Sequence, residues 1–237
     1  MKEPKEAFPY KPPSDFAKKK YNNVFKLKKR IEVPLPKLIF DKTISMFFLF
    51  IAIPILIFLF FFNLIEGLII KENRGPLFFY YYAISHGKVF KKWKIRIIKK
   101  SFIDSELQRK GDWHAFLNEW KPEAKTFMGS FVKKFYLDEI PQFFLILKGD
   151  MSFVGPRPLA IHHYERDIKQ GNIARKLIRG GLLGLGHIRK GSSEFGNSDY
   201  EYEYINNYIS FSPIKLFFID LKIIYKGFIL VLKGGGH

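Results

Sequence analysis

A long uncharged apolar segment constrains this chain more than any other feature. From Thr43 to Ile65 the sequence TISMFFLFIAIPILIFLFFFNLI contains no charged side chain. A helix of this length reaches across the hydrocarbon core of a bilayer, which takes about 20 residues. Backbone polar groups find no water in that core, so the segment must satisfy them within a helix. The sequence therefore predicts a membrane-inserted helix, to which we assign residues 37–72.

Two features favour a re-entrant helix over a full span. Pro54 lies in the middle of the run, where it removes a helix hydrogen bond and predicts a bend. Basic residues flank the run on both sides: Arg30, Lys37 and Lys42 before it, and Lys71, Arg74, Lys88, Lys91 and Lys92 after it. A single span would place one of these flanks outside, against the positive-inside tendency. We expect a helix that breaks at Pro54 and returns, while a buried globular helix is the alternative.

The chain is strongly basic, with a formal net charge of +18 over 237 residues, and it has no cysteine. The charge implies an anionic partner, and the lack of cysteine excludes disulfides and thiolate metal sites. Residues 1–36 hold two lysine-rich runs, Lys18–Lys20 and Lys26–Arg30, and predict a loosely ordered basic arm. Such an arm fits acidic membrane lipids. No nucleic-acid fold motif accompanies it, so we expect no nucleic-acid partner.

The segment after the apolar run begins with a predicted hairpin. Aromatic and β-branched residues in 75–84 and 88–98, separated by Ser-His-Gly, predict a β-hairpin. Lys94 and Arg96 would share one face of its second strand, either as phosphate or headgroup contacts or as a solvated basic face.

The C-terminal segment from Pro213 to Lys233 predicts an amphipathic helix. Its lysines fall on one narrow stripe, and its broad face is apolar. The lysines are Lys215, Lys222, Lys226 and Lys233, and the apolar residues are Phe217, Phe218, Ile223, Ile224, Phe228 and Leu232. This pattern is typical of a helix that lies in the headgroup plane of a membrane. The alternative is a helix that packs on the domain.

A second distinctive segment, LDEIPQFFLILKGDMSFVGPRP, runs from Leu137 to Pro158. Apolar spacing predicts a helix from Leu137 that ends near Gly149, with Asp138 and Glu139 at its N-terminus. There the helix dipole favours a carboxylate and attracts phosphate. Arg157 lies between two prolines that stiffen it as a phosphate clamp. The alternative is an N-capped helix with a surface ion pair and a Pro-rich turn.

This segment resembles the signature of the bacterial sugar transferase family, the monotopic phosphoglycosyl transferases. The resemblance extends in weaker form from about Lys37 to about Leu232, and it includes Gly75, Pro76 and Phe79. It implies that residues 73–237 form a cytoplasmic catalytic domain of α/β class that is mainly helical. It also implies transfer of a sugar phosphate from a UDP-sugar to undecaprenyl phosphate, at the cytoplasmic face of the bacterial inner membrane.

The resemblance also implies roles for particular residues. Asp138 would be the nucleophile that forms an aspartyl-phosphosugar intermediate, and Glu139 would lie near a Mg²⁺ cofactor. The implied phosphate contacts are Arg157, Lys94, Arg96 and Lys133. Self-association as a homodimer is a further expectation.

Several positions depart from the family pattern. Tyr81–Ser85 stand where Gln-x-Arg-x-Gly is usual, and Gly180–His187 replace a Pro-Gly-x-Thr-Gly-Trp-Ala-Gln element. Lys133 replaces an arginine and loses its bidentate fork. Two alternatives to an active enzyme therefore stay open: a catalytically impaired relative that acts as a membrane scaffold, and a basic membrane-surface binding protein.

Overall fold

The computed structural model describes residues 11–110, 118–119, 121–189 and 192–232. The described part is mainly helical with two small sheets, as the sequence predicts. The helices are α1 (Asp15–Lys20), α2 (Asn22–Phe25), α3 (Leu35–Ile69), α4 (Ser105–Lys110), α5 (Phe127–Lys134), α6 (Pro141–Lys148), α7 (Ile161–Lys169), α8 (Ala174–Leu177), α9 (Asp199–Ser210) and α10 (Pro213–Leu232). The strands are β1 (Phe78–Ser85), β2 (Lys88–Ile95), β3 (Ser152–Val154), β4 (Leu159–Ala160) and β5 (Gly181–Leu183).

The predicted hairpin is confirmed. Strands β1 and β2 pair antiparallel from Phe78↔Ile95 to Ser85↔Lys88. The two residues of the turn, His86 and Gly87, both have positive φ, 53° and 62°, as a type I′ hairpin turn requires. Strand β4 joins the free edge of β1, while β3 and β5 form a separate parallel pair.

The predicted apolar helix is α3, and it is longer than the uncharged run. It begins after Pro34 and continues through Pro54 for 35 residues, which is about 52 Å at about 1.5 Å per residue. Residues on both sides of Pro54 are helical, so the helix does not end there and the re-entrant bend stays a prediction. Helix α3 is long and apolar enough to cross a membrane, and only 17% of its most apolar part is buried.

One narrow stripe of α3 packs against the rest of the molecule. Its buried residues include Lys37, Asp41, Ser45, Ala52, Leu59 and Glu66, spaced so that they share one face of the helix. At the start, Lys37 pairs with Asp220 of α10 at 2.6 Å. Near the end, Glu66 accepts backbone hydrogen bonds from Phe127 and Met128 at the start of α5. Both ends of α3 are therefore attached to the same domain.

The segment before α3 differs from the expected loose arm. Residues 11–36 include α1 and α2, and Ala17, Tyr21 and Val24 are buried in the main core. The ring of Phe25 stacks on Tyr202 of α9 at 4.0 Å. These apolar residues stand between the lysines, which face outward, so the segment packs although its composition is basic. Residues 1–10 of the predicted arm lie outside the described residues.

Helix α10 confirms part of the predicted amphipathic pattern. Phe218, Phe228 and Leu232 are exposed, as are the lysines of the predicted stripe that the structure describes. Lys233 lies outside the described residues. Ile223, which the sequence placed on the exposed apolar face, is buried in the core instead. It shares with Leu216 and Asp220 the face that packs on the domain.

Candidate active site

The acidic pair lies just before a helix and not in its first turn. Tyr136 adopts a left-handed conformation (φ 56°) that ends the preceding segment, and Leu137–Glu139 form a 3₁₀ turn. Helix α6 begins at Pro141, where proline is favoured because its missing N–H has no helical partner. The prediction of a helix from Leu137 was therefore early by one turn. Asp138 and Glu139 are both buried.

Lys94 on β2 holds the two carboxylates together. Its Nζ donates to Asp138 Oδ2 at 2.9 Å and lies 3.5 Å from Glu139 Oε1. Adjacent side chains on an α-helix point about 100° apart, but the 3₁₀ turn lets both carboxylates reach one ammonium. The second oxygen of Asp138, Oδ1, is buried and accepts no hydrogen bond within the described residues. Only one of the two oxygens of this carboxylate is therefore fixed by a side chain that the structure describes.

Lys133 at the end of α5 lies beside the same carboxylate. Its Nζ pairs with Glu119 Oε2 at 2.6 Å and lies 3.9 Å from Asp138 Oδ2. A cleft next to Asp138 is lined by Lys94, Glu119 and Phe79, among others. The structure thus places Lys133 beside the dyad, and its predicted phosphate contact stays a prediction. Glu119 was not predicted.

Arg157 approaches from the loop between β3 and β4. Its Nη2 donates to Glu139 Oε1, and its backbone carbonyl accepts from Arg175 Nε at 2.7 Å. Arg175 is itself buried between Asp167, at 2.8 Å, and Glu201, at 2.6 Å. This buried network fixes the backbone that carries Arg157. Arg175 was not predicted as a site residue, because no pattern in the neighbouring sequence marks it or its partners.

Arg96 does not join the dyad, although it is only two residues from Lys94. Its guanidinium donates to the carbonyls of Pro76, Ile98 and Asn73, each at 2.8 Å, and to Asn63 Oδ1 at 3.0 Å. These bonds tie the second strand to α3 and to the segment that follows it. The geometry thus shows a structural role for Arg96, and the predicted phosphate contact stays a prediction.

Lys92 is a further basic residue of the site. It was predicted only as one of the basic residues that follow the apolar run. It stands two residues before Lys94 on β2, and its side chain is fully buried. The signal in the sequence is the alternation of Lys92, Lys94 and Arg96, because residues two apart on a strand share a face.

The charged side chains of the site shift one another's pKa values. Burial alone would raise the pKa of Glu139, but Arg157, Lys94 and Lys92 hold it well below its usual range. Burial would lower the pKa of Lys94, but Asp138, Glu139 and Glu119 raise it. The pKa of Arg157 is raised in the same way, mainly by Glu139. Glu139 is therefore ionised and Lys94 is charged at neutral pH, and basic side chains grouped in this way are suited to binding phosphate.

A second cleft lies on the other side of Arg157. It is lined by Gly155, Pro156 and the segment Gly184–His187, with Tyr200 and Tyr204. Burial, and then the charge of Arg157, lowers the pKa of His187 well below its ordinary value. The segment that departs from the family pattern therefore meets the site at Arg157. Among the described residues, no group of three or more acidic or histidine side chains is placed to hold a metal ion by itself.

The fold and the site together define a mixed domain laid against one long apolar helix, with a buried carboxylate pair surrounded by basic side chains. The model of the bacterial sugar transferase family matches residues 34–234. The chain belongs to that family.

Curated relatives agree with this assignment. The chain is 27% identical over 207 residues to the undecaprenyl-phosphate galactose phosphotransferase of Salmonella typhimurium, which covers 79% of this chain and 40% of the relative. It is 29% identical over 200 residues to the UDP-glucose:undecaprenyl-phosphate glucose-1-phosphate transferase of Klebsiella pneumoniae (80% and 39%). It is 31% identical over 180 residues to the exopolysaccharide production protein ExoY of Sinorhizobium fredii (70% and 74%). The chain spans about two fifths of the length of the first two.

Proposed function

We propose that the protein is a phosphoglycosyl transferase that moves a sugar 1-phosphate from a UDP-sugar to undecaprenyl phosphate. The observation that carries the proposal is the state of Asp138. One of its oxygens is fixed by Lys94 at 2.9 Å, and the other is buried without a hydrogen bond. A carboxylate held in this way is oriented for attack, because no bond must be broken to free its reacting oxygen.

The proposed reaction has two displacements. Asp138 Oδ1 forms a bond to the sugar-linked phosphorus of the donor, and the bond from that phosphorus to the UMP oxygen breaks. Arg157 would hold a phosphate oxygen during this step. An oxygen of undecaprenyl phosphate then attacks the same phosphorus, and the bond to Asp138 breaks. The products are UMP and an undecaprenyl diphosphosugar, and the carboxylate is restored.

Mg²⁺ is the expected cofactor, and the donor set fits it. Magnesium is usually bound by one or two carboxylates, with water and substrate phosphates completing the shell. Glu139 would hold the ion, beside the Asp138 oxygen that accepts no hydrogen bond. When bound, the ion would neutralise phosphate charge during transfer. Arg157 and Lys94 share the Glu139 carboxylate, so they would keep it in place for the ion.

A position at the cytoplasmic face of the inner membrane suits this reaction. Both ends of α3 bind the same domain, through Lys37 and Glu66, which favours a helix that enters and leaves the bilayer on one side. Apolar side chains are exposed along α3, and Phe127 and Phe131 of α5 are exposed beside them. Because α5 also carries Lys133, a lipid-linked acceptor phosphate would reach the dyad from the membrane surface.

The experiment is release of UMP by the full chain with candidate UDP-sugars, Mg²⁺ and undecaprenyl phosphate. The wild type should release UMP with at least one donor, and Asp138→Asn should abolish it. Asp15→Asn is the matched control, since the Asp15 carboxylate is 99% exposed. No release by the wild type with any donor, with normal membrane binding, would favour the scaffold alternative. Full turnover by Asp138→Asn would remove Asp138 as the nucleophile.

A further inference from the structure

The charged residues around the dyad form three ion pairs, and one basic residue of the cluster lies outside these pairs. Three carboxylates meet there, and each has its own cation within the described residues. Asp138 pairs with Lys94 at 2.9 Å, Glu119 with Lys133 at 2.6 Å, and Glu139 with Arg157. A fourth basic residue of the cluster has no carboxylate within hydrogen-bond distance in the described part of the chain.

Lys92 is that fourth basic residue. It is fully buried, and its Nζ has no hydrogen-bond partner in the described part of the chain. Its Nζ lies 5.9 Å from the centre of the ring of Tyr81, the residue opposite it in the hairpin. A buried amine without a partner destabilises a fold, because its lost hydration is not replaced.

The position of Lys92 connects it with the reacting groups. It shares a face of β2 with Lys94, and the 3₁₀ turn that carries the dyad packs on β2. Burial, followed by the charge of Arg157, lowers the pKa of Lys92 well below its ordinary value, while Glu139 and Asp138 act in the opposite direction. An additional anion next to Arg157 would therefore stabilise the charged form of this amine.

We propose that Lys92 is a further substrate-binding residue of the site, whose ammonium balances the charge of the donor diphosphate when the donor binds at Arg157. The inference rests on the proposed transferase function. It explains why a costly buried amine stands here: the missing partner is the phosphate of the substrate. Stability is commonly sacrificed at functional sites in this way.

A purely structural role predicts a different outcome. If the Lys92 stem only fills space, Lys92→Met keeps the packing, removes an unsatisfied amine and changes nothing in ligand binding. If the ammonium balances phosphate, Lys92→Met gives an equally or more stable protein that binds diphosphate poorly. The control is Lys91→Met, which removes the same charge from the exposed opposite face of the strand.

The test measures the affinity of the full chain for UDP by calorimetry at fixed Mg²⁺, with the melting temperature of each unliganded protein. We expect Lys92→Met to weaken UDP binding about 10-fold or more at an unchanged or higher melting temperature. Lys91→Met should stay within about 2-fold of the wild type. In turnover, Lys92→Met should raise KM for the donor and lower kcat, while KM for the acceptor changes less.

Each other result has a defined meaning. Unchanged UDP affinity in Lys92→Met overturns the inference, as does a wild type that does not bind UDP. If Lys92→Met does not fold, Lys92→Gln replaces it, and failure of both to fold overturns the premise that the amine lacks a stabilising partner. A wild type that binds UDP but releases no UMP from any donor defeats the proposed activity alone, because UDP affinity still reports on Lys92.

Discussion

Lys94→Met gives the most direct test of how the dyad is held. Lys94 lies between two buried carboxylates, and its own side chain is only 10% exposed. Removing one partner of a buried ion pair costs about 3–5 kcal/mol, because the remaining charge is left without compensation. For a chain of this size about 1 kcal/mol shifts the melting temperature by about 2–4 °C. We therefore expect Lys94→Met to melt about 6–20 °C below the wild type.

The assay is thermal unfolding of the purified full chain in detergent, followed by tryptophan fluorescence. Lys94→Met/Asp138→Asn should regain a large part of the lost stability, since the second change removes the uncompensated charge. Both variants should be inactive. Lys91→Met is the control for the loss of one positive charge, because its Nζ lies on the ring of Tyr80 at 4.7 Å, outside the site.

The pH dependence of the same variants adds a further check. The pKa of Lys94 is raised in the folded protein, so its contribution is complete below its unfolded pKa of about 10.4 and is lost only as pH rises through the folded value. The gap between wild type and Lys94→Met should therefore stay constant from neutral pH to about pH 9. A Lys94→Met protein as stable as the wild type would refute the paired-charge account of the dyad.

Three other predictions follow from the geometry. Arg175→Lys keeps the charge but loses the fork that fixes the Arg157 backbone, so kcat/KM for UMP release should fall about 10-fold. Because the pKa of Glu139 is lowered, its stabilisation is complete above its unfolded pKa of about 4.3 and is lost as pH falls through the folded value, so the melting-temperature gap to Glu139→Gln should close only in acid. Tags at both termini should be accessible only from the cytoplasmic side, and Pro54→Leu should shift part of the population towards opposite accessibility.

The sequence was sufficient to predict those helices and strands that depend mainly on residues close together in the chain. The uncharged run predicted α3, and the Ser-His-Gly turn between aromatic strands predicted the hairpin. The bounds were less certain. Helix α3 covers Leu35–Ile69 where residues 37–72 were assigned, and its first turns carry buried charges because Lys37 pairs with both Asp41 and Asp220. Charge pairing across the fold cannot be read from hydropathy.

The acidic dyad was found by its motif, but its surroundings depend on distant residues. Glu119 and Arg175 reach the site from other elements, and nothing in their local sequence marks them. The exception is Lys92, whose alternation with Lys94 is visible in the sequence once β2 is assigned. We predicted a loosely ordered segment before α3 because its composition is strongly basic. Its few apolar residues, Ala17, Tyr21 and Val24, nevertheless pack in the core.

Helix α3 contacts each of the elements that place the dyad. Its Asn63 binds Arg96 at 3.0 Å, directly after the strand that carries Lys94. Its Glu66 caps the start of α5, the helix that ends beside Lys133. Its Ser45 donates to the carbonyl of Phe143 at 2.7 Å, in the helix that follows the dyad. The apolar helix is therefore part of the framework of the site and not a detachable anchor. A change in how α3 packs on the domain should therefore alter the spacing of Lys94, Lys133 and Asp138, because α3 contacts a neighbouring part of the chain for each of them.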